Sequence, residues 1–385
     1  MLGKTNLLFV AEDEQLDLSF NPQYILTSSS SDILKIEYIN NLFFAYTGDD
    51  KVLYGSDINN LQTLKKDGSP FPATYIIYKN NAYYMIVKEQ STEKVVVYKT
   101  TNLSTFEEIT IRNASSETIG AVTLTAGALL LTSDNRIAML YTIKTSNYTH
   151  TRLVIVDTLE GFSHGADNFI ELNTYIETGC DKTYMLKDRI VNMYSVDNTY
   201  IITLDGTVKS ALPFTTYAAG YFFYTASYRD IGTMSSNSKL AVYYSLNGVD
   251  YQAVHLDIST YSNNVLTETK FFEYDGNIVM YYPDKIAITS TPKGLVEATK
   301  NAIPVEMDYK IKTVVSLYKD DYVYLGGTGG IIIKAKLDYT DTTRPDITLL
   351  KILSAKQALA EAKRYTDEKI AALEARVKTL EEKNT

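Results

Sequence analysis

The chain of 385 residues has no tryptophan, one cysteine, three histidines and eight prolines. One cysteine excludes an intrachain disulfide, and Cys180 reads as a small core or loop residue. His150, His164 and His255 are scattered, without the spacing of a metal site. Long apolar runs are missing too. Ala128–Leu131 and Ile331–Ile333 are typical, far short of the ~20 residues of a membrane span. The opening MLGKTNLLFVAEDEQLDL has a five-residue apolar run that ends in acids, so it is not expected to be a secretory signal. A cytosolic protein, or one that leaves its cell by lysis, is expected. Positive charge is scarce: 37 Lys+Arg stand against 46 Asp+Glu. Residues 347–385 hold 8 of the basic and 6 of the acidic residues, which leaves 29 against 40 in the remainder. Such a body offers no footprint for nucleic acid or anionic lipid. Walker loops, GxSxG elbows, HExxH and CxxC are all absent, so no cofactor is expected.

What is present is tyrosine, 32 residues of it. Tyr favours strands and can place its ring on a core while its hydroxyl reaches water. Many half-buried strands account for most of them, and a glycan-binding surface could account for some. A hairpin also recurs. KVLYGSDINNLQTL at 51–64 and KVVVYKTTNLSTFEEI at 94–109 share a Lys, an apolar run closing on Tyr, a polar turn and a second strand. Asn40-Asn41 matches Asn80-Asn81 at a spacing of 40. Units of this build begin near Lys35, Thr74, Ala121, Thr183, Tyr217, Phe271 and Val314. Each holds about four short strands joined by Asn, Asp and Gly turns. A period of 40–50 residues with four strands per unit predicts a β-propeller, here of seven blades, with six as the alternative count because the 121–172 unit is irregular. The last unit lacks a strand, and Asn6–Val10 and Leu16–Phe20 are spare. An N-terminal strand is therefore expected to complete the final blade.

The β pattern stops at Arg344-Pro345. Residues 1–345 are read as the propeller and 346–385 as a linker followed by an oligomerisation helix. Ser354 and Gln357 fit a capping box, and the Gly- and Pro-free segment after them would make a rod of ~45 Å. Ile370, Leu373, Val377 and Leu380 take a and d positions of an α-helical coiled coil, with Ala362 and Thr366 a weaker continuation upstream. Ile/Val at a with Leu at d favours a parallel dimer. Arg376 and Glu381 fit the Arg-h-x-x-h-Glu pattern associated with short trimeric coiled coils, and a homotrimer is expected.

YSLNGVDYQAV at 243–253 resembles the Asp-box hairpin of sialidase-like propellers, Ser-x-Asp/Asn-Gly-x-x-aromatic. Ser245, Asn247, Gly248 and Tyr251 fall on the pattern, while YGSDINNL and YKTTNLSTF are degenerate forms. The resemblance implies a structural turn between outer strands, away from any central site. It does not imply sialidase chemistry. Arg112, Arg136, Arg152, Arg189, Arg229 and Arg344 are the arginines of the propeller region, and none stands in that family's Arg-Ile-Pro context. Another glycosidase would need two facing carboxylates, which spacing cannot pick out. GGTGGIII at 326–333 reads as a blade turn, lacking the Lys-Ser/Thr of a phosphate loop. TGDDK at 47–51 and EYDGN at 273–277 read as solvated turns, with calcium binding the alternative.

Degenerate Asp-box propellers with a helical segment such as KRYTDEKIAALEARV are similar to bacteriophage tail-tip, baseplate and receptor-binding proteins. That resemblance implies a non-enzymatic virion protein of the tail. Its partners would be other virion proteins and a host cell-surface glycan or protein, neutral rather than anionic given the acidic body. A glycan-cleaving propeller enzyme and a bacterial scaffold propeller are the competing expectations.

Overall fold

A computed structural model describes residues 17–340, apart from 89–94, 110–111, 114–122, 145–148, 160–162, 165–168, 177–181, 187–188, 196–197, 213, 230–237 and 261–263. Cys180 and the expected coiled-coil positions Ile370, Leu373, Arg376, Val377, Leu380 and Glu381 lie outside the described residues.

Seven four-stranded antiparallel sheets follow one another along the chain. Six are consecutive meanders, with innermost strands Ile33–Ile39, Ala73–Lys79, Thr123–Leu131, Thr183–Leu186, Thr216–Ala218 and Lys270–Tyr274. They are numbered blades 1 to 6 in that order. Blade 7 takes Leu317–Lys319, Tyr322–Gly326 and Ile331–Thr340, and its outer place is filled by Asp17–Leu26. The ring therefore closes by pairing the first strand with the last, from Asp17↔Thr340 to Leu26↔Ile331. The protein is a seven-bladed β-propeller. The closing strand runs past the expected Phe20 and through Pro22, which an edge strand tolerates because one of its sides needs no ladder donor.

The repeat has a physical basis in its turns. The first hairpin of blades 1, 2, 5, 6 and 7 turns on Asn40-Asn41, Asn80-Asn81, Ala219-Gly220, Asp275-Gly276 and Asp320-Asp321, every one of these residues at positive φ. Two such residues make a type I′ turn, whose twist matches that of the strands. Asn, Asp and Gly tolerate this region best, and Ala219 at φ 46° is the exception.

The core is divided into wedges between blades. Phe44, Tyr46 and Val52 of blade 1 pack with Ile76, Met85 and Tyr98 of blade 2. Phe223 of blade 5 stacks on Phe271 of blade 6 with centroids 4.2 Å apart. Phe43 of blade 1 meets Tyr324 of blade 7 at 5.4 Å. Tyrosines supply much of this aromatic bulk: Tyr46, Tyr75, Tyr84 and Tyr141 are among the largest fully buried side chains.

In a four-stranded meander the first and third turns share one end of the blade. At that end each boundary carries a contact. Asn40 Nδ2 donates to the Tyr83 hydroxyl at 3.0 Å, from blade 1 to blade 2. Lys79 Nζ donates to the Asn135 carbonyl at 2.5 Å, from blade 2 to blade 3. Arg189 donates to the Leu246 carbonyl at 3.1 Å. The Ala219 amide donates to Glu273 at 3.1 Å, and the Tyr274 hydroxyl to the Asp321 carbonyl at 2.9 Å. Lys319 of blade 7 lies 4.4 Å over the Tyr38 ring of blade 1. Between blades 3 and 4 the contact is steric: a Cβ on Gly206 would fall 2.2 Å from Ile170.

The closure seam yields a prediction. Gly330 has φ +78°, and a Cβ there would stand 1.8 Å from the Ser29 carbonyl oxygen. Gly329 has φ +65° but open space around it. Gly330→Ala is expected to destabilise the fold by about 3 kcal/mol or more, Gly329→Ala by about 1–2 kcal/mol. Urea unfolding of both variants measures this, and equal losses would show that the seam yields.

Candidate functional site

The centre of the ring is where the innermost strands converge, and it is only half open. The link into blade 7 crosses it. Tyr217 of blade 5 donates its amide to the Val314 carbonyl at 2.9 Å, and Tyr217 and Val315 form a parallel bridge. The Glu273 amide of blade 6 donates to Ser316 Oγ at 3.1 Å. Residues 314–316 thus plug the side formed by blades 5 and 6. A cavity of about 300 Å³ remains against blades 1 to 4, at the small end of ligand pockets.

Isoleucines and leucines make most of its wall, among them Ile36, Ile76, Leu129 and Leu130. The polar groups are Lys35, Glu37, Tyr75 and Tyr184. A local irregularity sets them there. The ladder of blade 1 skips between Ile33 and Lys35, and that of blade 2 skips at the equivalent place between Ala73 and Tyr75. Such a bulge re-aims the side chains that follow it. Lys35 Nζ lies 2.7 Å from Glu37 Oε1, with the two side chains 9% and 28% exposed. The ammonium also lies 5.2 Å from the Tyr46 ring and 5.6 Å from the rings of Tyr75 and Tyr184. Glu37 takes a further hydrogen bond from the Tyr46 hydroxyl at 2.7 Å. The outcome is a cation held by one carboxylate and three aromatic faces. Across the ring, burial and then the charge of Glu273 push the Tyr217 hydroxyl up to about 12.

The residues singled out in the sequence fall elsewhere. Ser245, Asn247, Gly248 and Tyr251 lie in or beside the turn between the third and fourth strands of blade 5, remote in topology from the channel lining. Ser245 Oγ accepts from the amides of Asn247 and Gly248, at 3.2 and 3.0 Å. Asn247 Oδ1 accepts from those of Val249 and Asp250, at 2.9 and 2.8 Å. Thr100 and Asn102 of blade 2 repeat the scheme. Thr100 Oγ1 takes the amides of Asn102 and Leu103, and Asn102 Oδ1 takes those of Ser104 and Thr105. Leu103, at φ 59°, stands where blade 5 has Gly248 at φ 74°. The difference lies in packing. Leu103 is buried among Phe71 and Tyr98, whereas a Cβ at Gly248 would meet Ile201 Cδ1 at 2.7 Å.

In TGDDK, Asp49 accepts from Thr47 Oγ1 at 2.5 Å and pairs with Lys51 at 2.6 Å. In EYDGN, Asp275-Gly276 is one of the type I′ turns. Gly329 of the GGTGG loop donates its amide to Asp32 at 3.0 Å. His150 contacts Glu171, and His255 stacks on Tyr228 at 4.1 Å. Lys35 and Glu37 were not singled out in the sequence. A signal was there: aligning Asn40 with Asn80 sets Lys35 on Tyr75 and Glu37 on Ile77, two charges where the repeat carries an aromatic and an apolar residue.

No family model and no curated protein matches the chain. Among solved structures it is similar to a catalytically inactive virginiamycin B lyase from Staphylococcus aureus with quinupristin, at 9% identity, over 83% of this chain and 100% of that one, with a TM-score of 0.47. It is also similar to YCF48 bound to D1 peptide, at 12% identity, over 84% and 96% of the two chains, with a TM-score of 0.45. At this identity no chemistry passes from either to this chain.

The channel pair can be tested by stability. Glu37→Gln would leave the Lys35 ammonium enclosed without its counter-charge. The expected loss is about 2–3 kcal/mol, below the usual range for buried pairs because Glu37 is partly solvated. Lys35→Met with Glu37→Gln should cost less than Glu37→Gln alone, as a double-mutant cycle in urea would show. Strict additivity would mean that the pair contributes nothing.

Proposed function

We propose that the chain is a non-enzymatic component of a bacteriophage tail tip, baseplate or fibre, which contributes to binding a host-cell surface glycan or protein and is held as a homotrimer through residues 355–383. The observation that carries this reading is a propeller with side-chain-stapled turns, continuous in sequence with a heptad segment built on Ile370, Leu373, Val377 and Leu380. A single helix cannot bury such a stripe, and helices of this length are marginal alone in water. Each buried Ile, Leu or Val contributes ~1.5–3 kcal/mol, which offsets the cost of association only modestly. Trimeric presentation also multiplies weak contacts into useful avidity, which suits a surface-binding protein.

A binding role rather than catalysis is favoured by how the channel charges are committed. Lys35 is neutralised by Glu37, and Glu37 in turn accepts from Tyr46. With its charges tied to each other and to a tyrosine hydroxyl, the pair offers no free group to attack or protonate a substrate.

Purified protein is expected to bind host cells saturably without releasing reducing sugar; steady turnover would replace this reading by a glycan-cleaving one. Light scattering should give a mass of three chains. Exchanging Leu373 and Leu380 for Asp should give folded monomers, and exchanging Arg376 alone should shift trimers toward dimers. A wild-type mass near one chain sinks the coiled coil. A mass of two chains removes the role of Arg376 and Glu381 but keeps the seam.

A further inference from the structure

Residues 314–316 reveal what the inner edges of this propeller can hold. In an antiparallel pair every second residue bonds to the partner strand, and the residues between turn their N–H and C=O to the other edge. The pairs that close the first turns, Ile39↔Leu42, Lys79↔Ala82, Ala218↔Tyr221 and Tyr274↔Asn277, belong to the bonded set. The residue before each turn-closing one therefore presents its backbone to the channel. In blades 5 and 6 these residues are Tyr217 and Glu273, and the plug takes both of their amides. Tyr217 donates to the Val314 carbonyl at 2.9 Å and Glu273 to Ser316 Oγ at 3.1 Å.

The same alternation, counted back two residues from Tyr38 and Tyr78, turns the backbones of Ile36 and Ile76 to the channel. Both residues line the cavity of about 300 Å³. So does Met185, which precedes the Leu186↔Arg189 pair of blade 4 as Tyr217 precedes the closing pair of blade 5. Among the described residues no further strand pairs with the inner edges of blades 1 to 4 at these positions. Val315 reaches the cavity from the plug side. An edge of backbone donors and acceptors beside an apolar wall is the setting for strand addition: backbone bonds hold an extended segment and its side chains meet the wall. Lys35 and Glu37 restrict what can enter. They neutralise each other at 2.7 Å, so a charged side chain would find no counter-charge left for it.

We propose that the cavity binds a short extended peptide with uncharged, apolar side chains, whose backbone bonds to the inner edges of blades 1 and 2 at Ile36 and Ile76 as residues 314–316 bond to blades 5 and 6. An extended segment carries donors and acceptors on both sides, so it can meet two neighbouring blades at once. The site rests on the channel geometry alone and depends on neither the phage reading nor the trimer.

The test uses the full chain, without cells, and a blocked copy of the plug sequence, acetyl-Thr-Val-Val-Ser-Leu-amide, as the probe. Calorimetry is expected to give saturable binding of one peptide per chain. Methylating the two valine amides of the peptide removes backbone donors and should weaken binding on the order of tenfold. A lysine in place of the second valine should weaken it similarly. Met185→Trp, which fills part of the cavity, should abolish binding, and Leu246→Ala, exposed beyond the third strand of blade 5, should leave it unchanged. Should the Met185 variant not fold, hydrogen exchange of the wild type decides: the bound peptide must slow the Ile36 and Ile76 amides. The site is overturned if the peptide does not bind saturably, if either altered peptide binds equally well, if a folded Met185→Trp keeps the binding, or if Ile36 and Ile76 exchange unchanged. Faster exchange at Tyr217 alone would mean that the peptide displaces the plug, and it rejects the site as well.

Discussion

The ladder between Asp17–Leu26 and Ile331–Thr340 is the constraint on which the rest of the molecule depends. Each blade has two faces to bury, and each face finds its partner only on the next blade. An open row would leave an apolar face at both ends. Pairing ten residues across more than three hundred positions of sequence turns the row into a ring, so that blade 7 packs Tyr324 and Ile332 against Ile33, Phe43 and Leu53 of blade 1. The cost is the entropy of closing a very long loop, but that cost grows only with the logarithm of loop length. Gly330 shows how tightly the seam is drawn, since even a methyl group would strike the Ser29 carbonyl.

Once the ring is closed, its two ends do different work. The end with the first and third turns is stitched from blade to blade by Asn40, Lys79, Arg189, Glu273, Tyr274 and Lys319. Most of these bonds run to a backbone carbonyl or amide, or to a tyrosine hydroxyl, so they constrain side chains and turns together. Tyrosine suits the arrangement because one residue supplies both the ring for the wedge and the hydroxyl for the stitch. Tyr83 does both: its ring packs near Phe44 and its hydroxyl accepts from Asn40. A chain without tryptophan loses little by this, since indole carries only a donor.

The parts legible in the sequence were those set by local chemistry. Paired Asn, Asp and Gly at positive φ mark the hairpins, and their spacing of about 40 residues marks the blades. The spare strand at the N-terminus followed from counting. The parts that were hidden depend on contacts between distant segments. Residues 314–316 read as the opening of the last unit, whereas its inner strand starts at Leu317 and they form the plug, because their pairing with Tyr217 and Glu273 is set by the geometry of the ring and by no pattern of their own. The role of Lys35 depends on a bulge that breaks the two-residue period, so alternation alone assigns its side chain to the wrong side. The helices Asn264–Glu268 and Leu295–Ala298 are too short to show a period at all.

The plug and the cavity are two consequences of one asymmetry. Seven short inner strands leave an axial space that side chains alone do not fill. On the side of blades 5 and 6 the chain fills it with its own backbone, which must then be hydrogen-bonded there; the Tyr217 and Glu273 amides meet that need. On the side of blades 1 to 4 no segment among the described residues enters beyond Val315, and the inner strands carry a charge pair and tyrosine rings there. Replacing that pair by apolar side chains would be the more stable choice in many interiors. Its presence beside the cavity, and the plug across from it, divide the centre of the propeller into a half that holds a charge pair and a half filled by backbone.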